Sequence, residues 1–116
     1  GYTGYTGYTG TIDPAVTENA QTGTSYELVL TDAGRIVTLN NPGAIALSVP
    51  TNASVPFPIG TLIDIVQFGA GKVTVSGAGV TLLSSGGNLS LNGQYAGAVL
   101  WKRAINTWAL IGNLVA

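Results

Sequence analysis

The chain contains no histidine, cysteine or methionine, and only nine of its 116 residues are charged, five acids against four bases. Each absence excludes something. Without His or Cys there is no imidazole or thiolate metal ligand, no Ser-His or Cys-His nucleophile pair, no disulfide, and no haem or iron–sulfur ligation of the common kinds. A net charge of −1 gives no footing to nucleic acid or to a polybasic membrane contact. Gly, Thr, Ser, Asn or Pro interrupts every apolar stretch before it reaches the ~18 residues of a membrane helix. No cofactor, nucleic acid or membrane insertion is therefore expected, and no enzymatic activity. Charged residues make up 8% of the chain and hydrophobic ones 46%, where a soluble domain averages about 25% charged. The surface of a lone copy would be short of polar groups.

The length suits one domain with one core. The sequence opens on Gly1 with no initiator Met and reads as a piece, or the mature end, of something longer. Missing cysteines leave the redox compartment open.

What is present begins with a repeat. Gly1-Tyr2-Thr3, Gly4-Tyr5-Thr6 and Gly7-Tyr8-Thr9 run into Gly10, placing glycine at every third position. In a collagen triple helix only glycine fits the crowded axis, so Gly1, Gly4, Gly7 and Gly10 are the candidate axis residues, with Tyr and Thr outward. The alternative is a flexible Gly-rich linker, since no proline occupies the outer positions. Residues 1–10 are read as the end of a collagen-like stalk, which requires three chains, and 11–24 as a polar neck or linker.

From residue 25 to 116, β-branched and aliphatic runs alternate with Gly, Asn, Pro and Ser clusters. This is the pattern of an all-β fold, expected as a small antiparallel β-sandwich of jelly-roll or Greek-key type. Residues 26–31 and 35–39 suggest a hairpin turned by Asp32-Ala33-Gly34. Asn41-Pro42-Gly43 suits a type II turn into a strand over 44–49. The Pro-rich stretch 50–60 reads as a long surface connection. In the strand 61–68, Leu62, Asp64 and Val66 share one face and Ile63, Ile65 and Gln67 the other. The echo of Gly69-Ala70-Gly71 at Gly77-Ala78-Gly79 suggests two short hairpin strands; two copies are too few for a solenoid. Asn92-Gly93 is a strong hairpin signal, and 94–103 with 107–111 form a final pair. That pair is apolar on both faces, which predicts a second apolar surface covered by another subunit.

Chemistry-bearing residues are few. Asp32 suits a turn, bonding nearby backbone. Asp64 interrupts an apolar strand; it either meets Arg35, Lys102 or Arg103 inside a trimer or lies on a solvated face. Lys102 and Arg103 point to opposite faces. Tyr95, Trp101 and Trp108 are the aromatics suited to a glycan platform or an interface, with core packing the simpler account for the tryptophans. Asn52-Ala53-Ser54 and Asn88-Leu89-Ser90 match the glycosylation acceptor pattern, as chance matches in a chain rich in Ser and Asn do.

Several ordered segments carry a family likeness: 26–34, then Phe57-Pro58-Ile59-Gly60-Thr61, Gln67-Phe68-Gly69-Ala70-Gly71, and Gly93-Gln94-Tyr95 followed by Lys102-Arg103 and Thr107-Trp108. Together they resemble the small C-terminal β-domain of phage and prophage virion proteins, including tail fibres and collagen-like fibres. The likeness runs from about Tyr26 to Leu114, and the triplets in front strengthen it. It implies a homotrimeric cap that registers three chains in an extracellular fibre or decoration protein of the virion, with attachment to a host-surface glycan or protein. The alternative is a carbohydrate-binding receptor-recognition module at a fibre tip. It transfers no catalytic residue.

Overall fold

The structure, a computed structural model, describes residues 15–116. The triplets, with Gly1, Gly4, Gly7 and Gly10, and the start of the neck lie outside the described residues. The remainder is all-β, as expected, in two sheets.

The first six strands are β1 (Glu18–Gln21), β2 (Ser25–Glu27), β3 (Ile36–Leu39), β4 (Ile45–Ser48), β5 (Leu62–Gln67) and β6 (Val73–Ser76). They form three successive coils, each giving one strand to each sheet. β1, β3 and β5 stack in parallel in the first sheet, and β2, β4 and β6 stack in parallel in the second. A parallel pair needs a crossover of a dozen or more residues, and here each crossover passes through the opposite sheet. The five later strands, β7 (Thr81–Ser84), β8 (Ser90–Leu91), β9 (Gly97–Ala104), β10 (Thr107–Gly112) and β11 (Leu114–Val115), close the far end. The first sheet runs β1-β3-β5-β9-β10-β7 and the second β11-β8-β6-β4-β2.

This pairing corrects the antiparallel expectation: five of the nine described pairings are parallel. The segment around Asp32 is no hairpin. β2 and β3 lie in different sheets, and a 3-10 turn over Leu30–Asp32 carries the chain across. Likewise β6 and β7 lie in different sheets, and the Asn92-Gly93 turn links β8 to β9 across the sandwich. Gly43 is not in the left-handed region, so 41–43 is not a type II turn; the Asn41 side chain instead accepts the Gly43 N–H at 2.8 Å, an Asx turn. Within the stretch read as neck, residues 18–21 form β1. The 94–103 and 107–111 pair holds, with β9 and β10 antiparallel and Asn106 at φ 58 in the tight turn.

Register explains the core. Val37 stacks on Ile65 and Leu47 on Val75, and all four are fully buried. The first coil differs: opposite Val37, Leu39 and Leu47 it places Asn19, Gln21 and Tyr26. These join a polar cluster around buried Asp32. The Tyr26 hydroxyl donates to Asp32 Oδ2 at 2.7 Å, Asn19 Nδ2 to Oδ1 at 2.9 Å, and the Val29 N–H to Oδ2 at 3.0 Å. Gln21 in turn donates to Asn19 Oδ1 at 2.9 Å. Such a polar terminal repeat is how a stacked array ends without leaving an apolar face bare. Between the second and third coils the arches pack backbone on backbone. The Gly71 N–H donates to the Asn41 carbonyl at 2.8 Å, and buried Gln67 spans the third arch, donating to Gly69 O and accepting from Val73 N.

Two measurements test this packing. A Cβ on Gly71 would sit 1.8 Å from the Gly43 carbonyl oxygen, so Gly71→Ala is expected to cost about 3 kcal/mol or more in urea unfolding. Gly93→Ala, with nothing within 4 Å, is expected to change stability by less than about 0.5 kcal/mol. Burial, reinforced by the Asp32 carboxylate, pushes the Tyr26 phenol up from 10.0 to about 12. Folding thus favours the neutral phenol, and that contribution is complete below pH 10 and lost as pH rises through about 12. Stability measured across this window is expected to fall less steeply in Tyr26→Phe than in the natural chain.

Candidate functional site: the outer face of the six-stranded sheet

The two sheets present opposite chemistry to the outside. On the second sheet, the outward rows are Ser25–Ala46–Thr74 and Glu27–Ser48–Ser76. On the first sheet, one outward row is Leu62–Trp101–Ala109–Leu83, and the next is Glu18–Ile36–Asp64–Val99–Ile111, apolar but for its two acids. Leu62, Leu83 and Ile111 are 53%, 44% and 61% exposed. A second apolar surface on strands 94–103 and 107–111 follows from their sequence, and the structure places it here.

The alternation is that of half-buried strands. Ala98, Leu100 and Lys102 of β9 turn inward while Val99, Trp101 and Arg103 turn outward; Trp108 and Leu110 of β10 turn inward and Ile111 outward. In β5, Ile63, Ile65 and Gln67 are inward and Leu62, Asp64 and Val66 outward, the partition expected from the sequence.

The three candidate aromatics do not form one platform. Trp108 is 1% exposed and packs edge-on to Phe57, with centroids 5.4 Å apart, so it belongs to the core. Trp101 is 38% exposed on the outer face. Tyr95 stands before β9, six residues from Trp101, or about 20 Å along an extended chain. It is 70% exposed, adopts φ 68 and meets the Phe68 ring edge-on at 5.7 Å. Phe68 escaped the sequence reading, although its place between the strand and Gly69-Ala70-Gly71 marks it as a rim residue.

The sequence places Lys102 opposite in direction to Arg103 and among the candidate partners of Asp64. Its direction is inward, and it is 1% exposed. Nζ donates to Asn52 Oδ1 at 2.5 Å and to the Phe57 carbonyl at 2.7 Å, and burial pushes its pKa below the ordinary lysine value. Asn106 Oδ1 accepts the Asn52 N–H at 2.7 Å. Lys102 thereby fastens the 50–60 connection to β9, which occupies the Asn52 side chain and removes Lys102 as a partner for Asp64. Among the described residues no group of three or more His, Cys, Asp or Glu is placed to hold a metal ion. Asp64 stands alone between Ile36 and Val99, and Glu27 lies on the other sheet.

No protein-family model and no curated protein matches the chain.

Two tryptophans that look alike in sequence have different roles, and truncation separates them. Trp108→Ala is expected to destabilise the fold by about 3–5 kcal/mol. Trp101→Ala, half-exposed, is expected to cost under about 1 kcal/mol in a single copy, as measured in urea at a concentration where copies do not associate.

Proposed function

We propose that the chain is a non-enzymatic, homotrimeric cap that registers three strands of a collagen-like virion fibre or tail fibre and serves attachment to a host surface. The observation that carries this reading is the contrast between the two outer faces. The same fold surfaces one sheet with Ser, Thr and Glu and leaves the other with Leu62, Leu83, Trp101 and Ile111 exposed. Large exposed apolar patches on soluble domains mark interfaces, and scarcity of charge points the same way. The Gly-Tyr-Thr period supplies the number of copies, since a triple helix needs three chains. The likeness to phage fibre domains supplies the setting.

In this role the work is mechanical. A triple helix has difficulty finding its own register, and a folded trimer brings three chain ends together at one place, raising their effective concentration. The chain enters the domain through β1 and β2, which are the edge strands of the two sheets at the first coil. Three triplets supplied at that end would begin in step.

A second reading, a carbohydrate-binding module, is favoured by the Phe68–Tyr95 pair. Tyr95 is exposed on a left-handed backbone, an arrangement that costs energy and that proteins keep at ligand clamps.

Light scattering at micromolar concentration is expected to give the mass of three chains; a single-chain mass overturns the trimeric reading. On a glycan array, binding lost in Tyr95→Ala with the trimer intact favours the module, whereas absence of any glycan signal leaves the cap as the sole role.

A further inference from the structure

Besides Glu18, on the edge strand and accepting the Thr38 hydroxyl at 2.6 Å, the outer face holds one acid with no such partner. Asp64 lies in its centre, between Ile36 and Val99 in the cross-strand row. Beside it the face dips into a shallow depression of about 340 Å³, lined by Ile36, Asp64, Val66, Val99, Ile111 and Gly112. The dip exists because β9 begins with Gly97 and β10 ends with Gly112, where a Cβ would strike the Gly97 carbonyl at 2.5 Å. Asp64 forms no hydrogen bond or ion pair through its side chain among the described residues.

Covering this face with another copy would remove the carboxylate from water. An unpaired buried carboxylate costs several kcal/mol, enough to undo the gain from burying two or three apolar side chains. An interface here therefore requires a cation at Asp64. The chain has four. Lys102 is buried on the inner side. Lys72 Nζ donates to the Ala116 carbonyl at 2.7 Å, on the second sheet's side of the molecule. Arg35 is exposed but lies in the bend before β3, outside the cross-strand rows of the face, and its carbonyl already accepts the N–H of Asp64 of its own copy at 3.1 Å. Arg103 alone shares the outward side of β9 with Val99 and Trp101, and it too is without an ion-pair partner among the described residues. Asp64 is opposite Val99, so Arg103 stands four residues further along, about 13 Å away. Acid and base occupy separate patches of one face, and a three-fold interface joins two different patches of neighbouring copies.

We propose that Arg103 of one copy enters the Asp64 depression of the next, so that this ion pair fixes the register of the three-fold interface. The inference rests on the trimeric reading and adds the residues that set it. An arginine suits the place: its apolar stem lies along Val99 and Ile111 while the guanidinium forks onto the carboxylate. Because each copy gives one Asp64 and receives one Arg103, the ring closes with every pair satisfied.

The test is a charge exchange read by light scattering and sedimentation at several concentrations, with circular dichroism to confirm the fold. Asp64→Arg and Arg103→Asp are each expected to weaken assembly by at least tenfold in concentration, because each brings like charges together. The double exchange is expected to restore the trimer to within a few-fold of the natural chain. A natural-chain trimer that either single exchange leaves unchanged overturns the pairing and keeps the trimer. Two disruptive single exchanges with no rescue by the double also overturn the pairing. A natural chain that is a monomer overturns both. Should a reversal unfold the chain, Asp64→Asn and Arg103→Gln, which keep shape and lose charge, are expected to weaken assembly less but in the same direction.

Discussion

Everything in this fold depends on a continuous ladder of backbone hydrogen bonds between stacked coils. Each coil satisfies the next, so the requirement moves to the two ends, where a buried and unpaired strand edge would be costly. The far end is closed by reversing direction: β9 lies antiparallel on β5, and β8 antiparallel on β6. The near end is closed by polarity. The side chains that stack over the apolar columns of the second coil are Asn19, Gln21 and Tyr26, gathered on Asp32. One carboxylate thus holds the turn between the first two coils and the cover of the core at once.

The same ladder makes the outer faces independent of each other. Inside, both sheets must be apolar, and the columns Val37–Ile65 and Leu47–Val75 meet that demand. Outside, no packing rule applies, so side-chain choice there reports function more directly than choice in the core. Ser and Thr on one sheet and Leu, Ile and Trp on the other are therefore informative in a way that seventeen buried hydrophobic residues are not.

Strands were legible in the sequence and their partners were not. Alternation in β5 gives the correct faces because a period of two survives whatever lies beside the strand. It carries no information on which strand that is. Asp32-Ala33-Gly34 has the residues of a hairpin turn, and Gly34 does adopt φ 73, yet the chain crosses to the other sheet because Leu28 enters the core just before the turn. Coils of unequal length hid the stacking. Glu18 lies against Ile36 and Ile36 against Asp64, offsets of 18 and then 28 residues, whereas repeats are recognised by a fixed period. The hairpin of β9 and β10 was legible because its turn is local. Of the site, Trp101 and the apolar outward row could be read from the strand pattern. The Phe68–Tyr95 contact and the Lys102–Asn52 clamp could not, since each joins residues far apart in sequence.

Lys102 and Arg103 show what adjacency in a strand does to chemistry. One residue apart, they face opposite environments. Lys102, without a counter-charge among the described residues, has its Nζ held by one amide and one carbonyl, an expensive arrangement that ties a Pro-rich connection to the sheet. Arg103 stays outside, on the apolar face that also holds Asp64. A face made only of Leu, Ile and Trp can slide against a copy of itself with little change in energy, because hydrophobic burial has no direction. In the proposed interface, Asp64 and Arg103, placed apart on that face, remove this freedom, since a register that keeps them apart leaves both charges buried and unpaired. For the proposed trimeric cap, the low charge count is then an advantage: with so few charges, each one helps to decide the alignment.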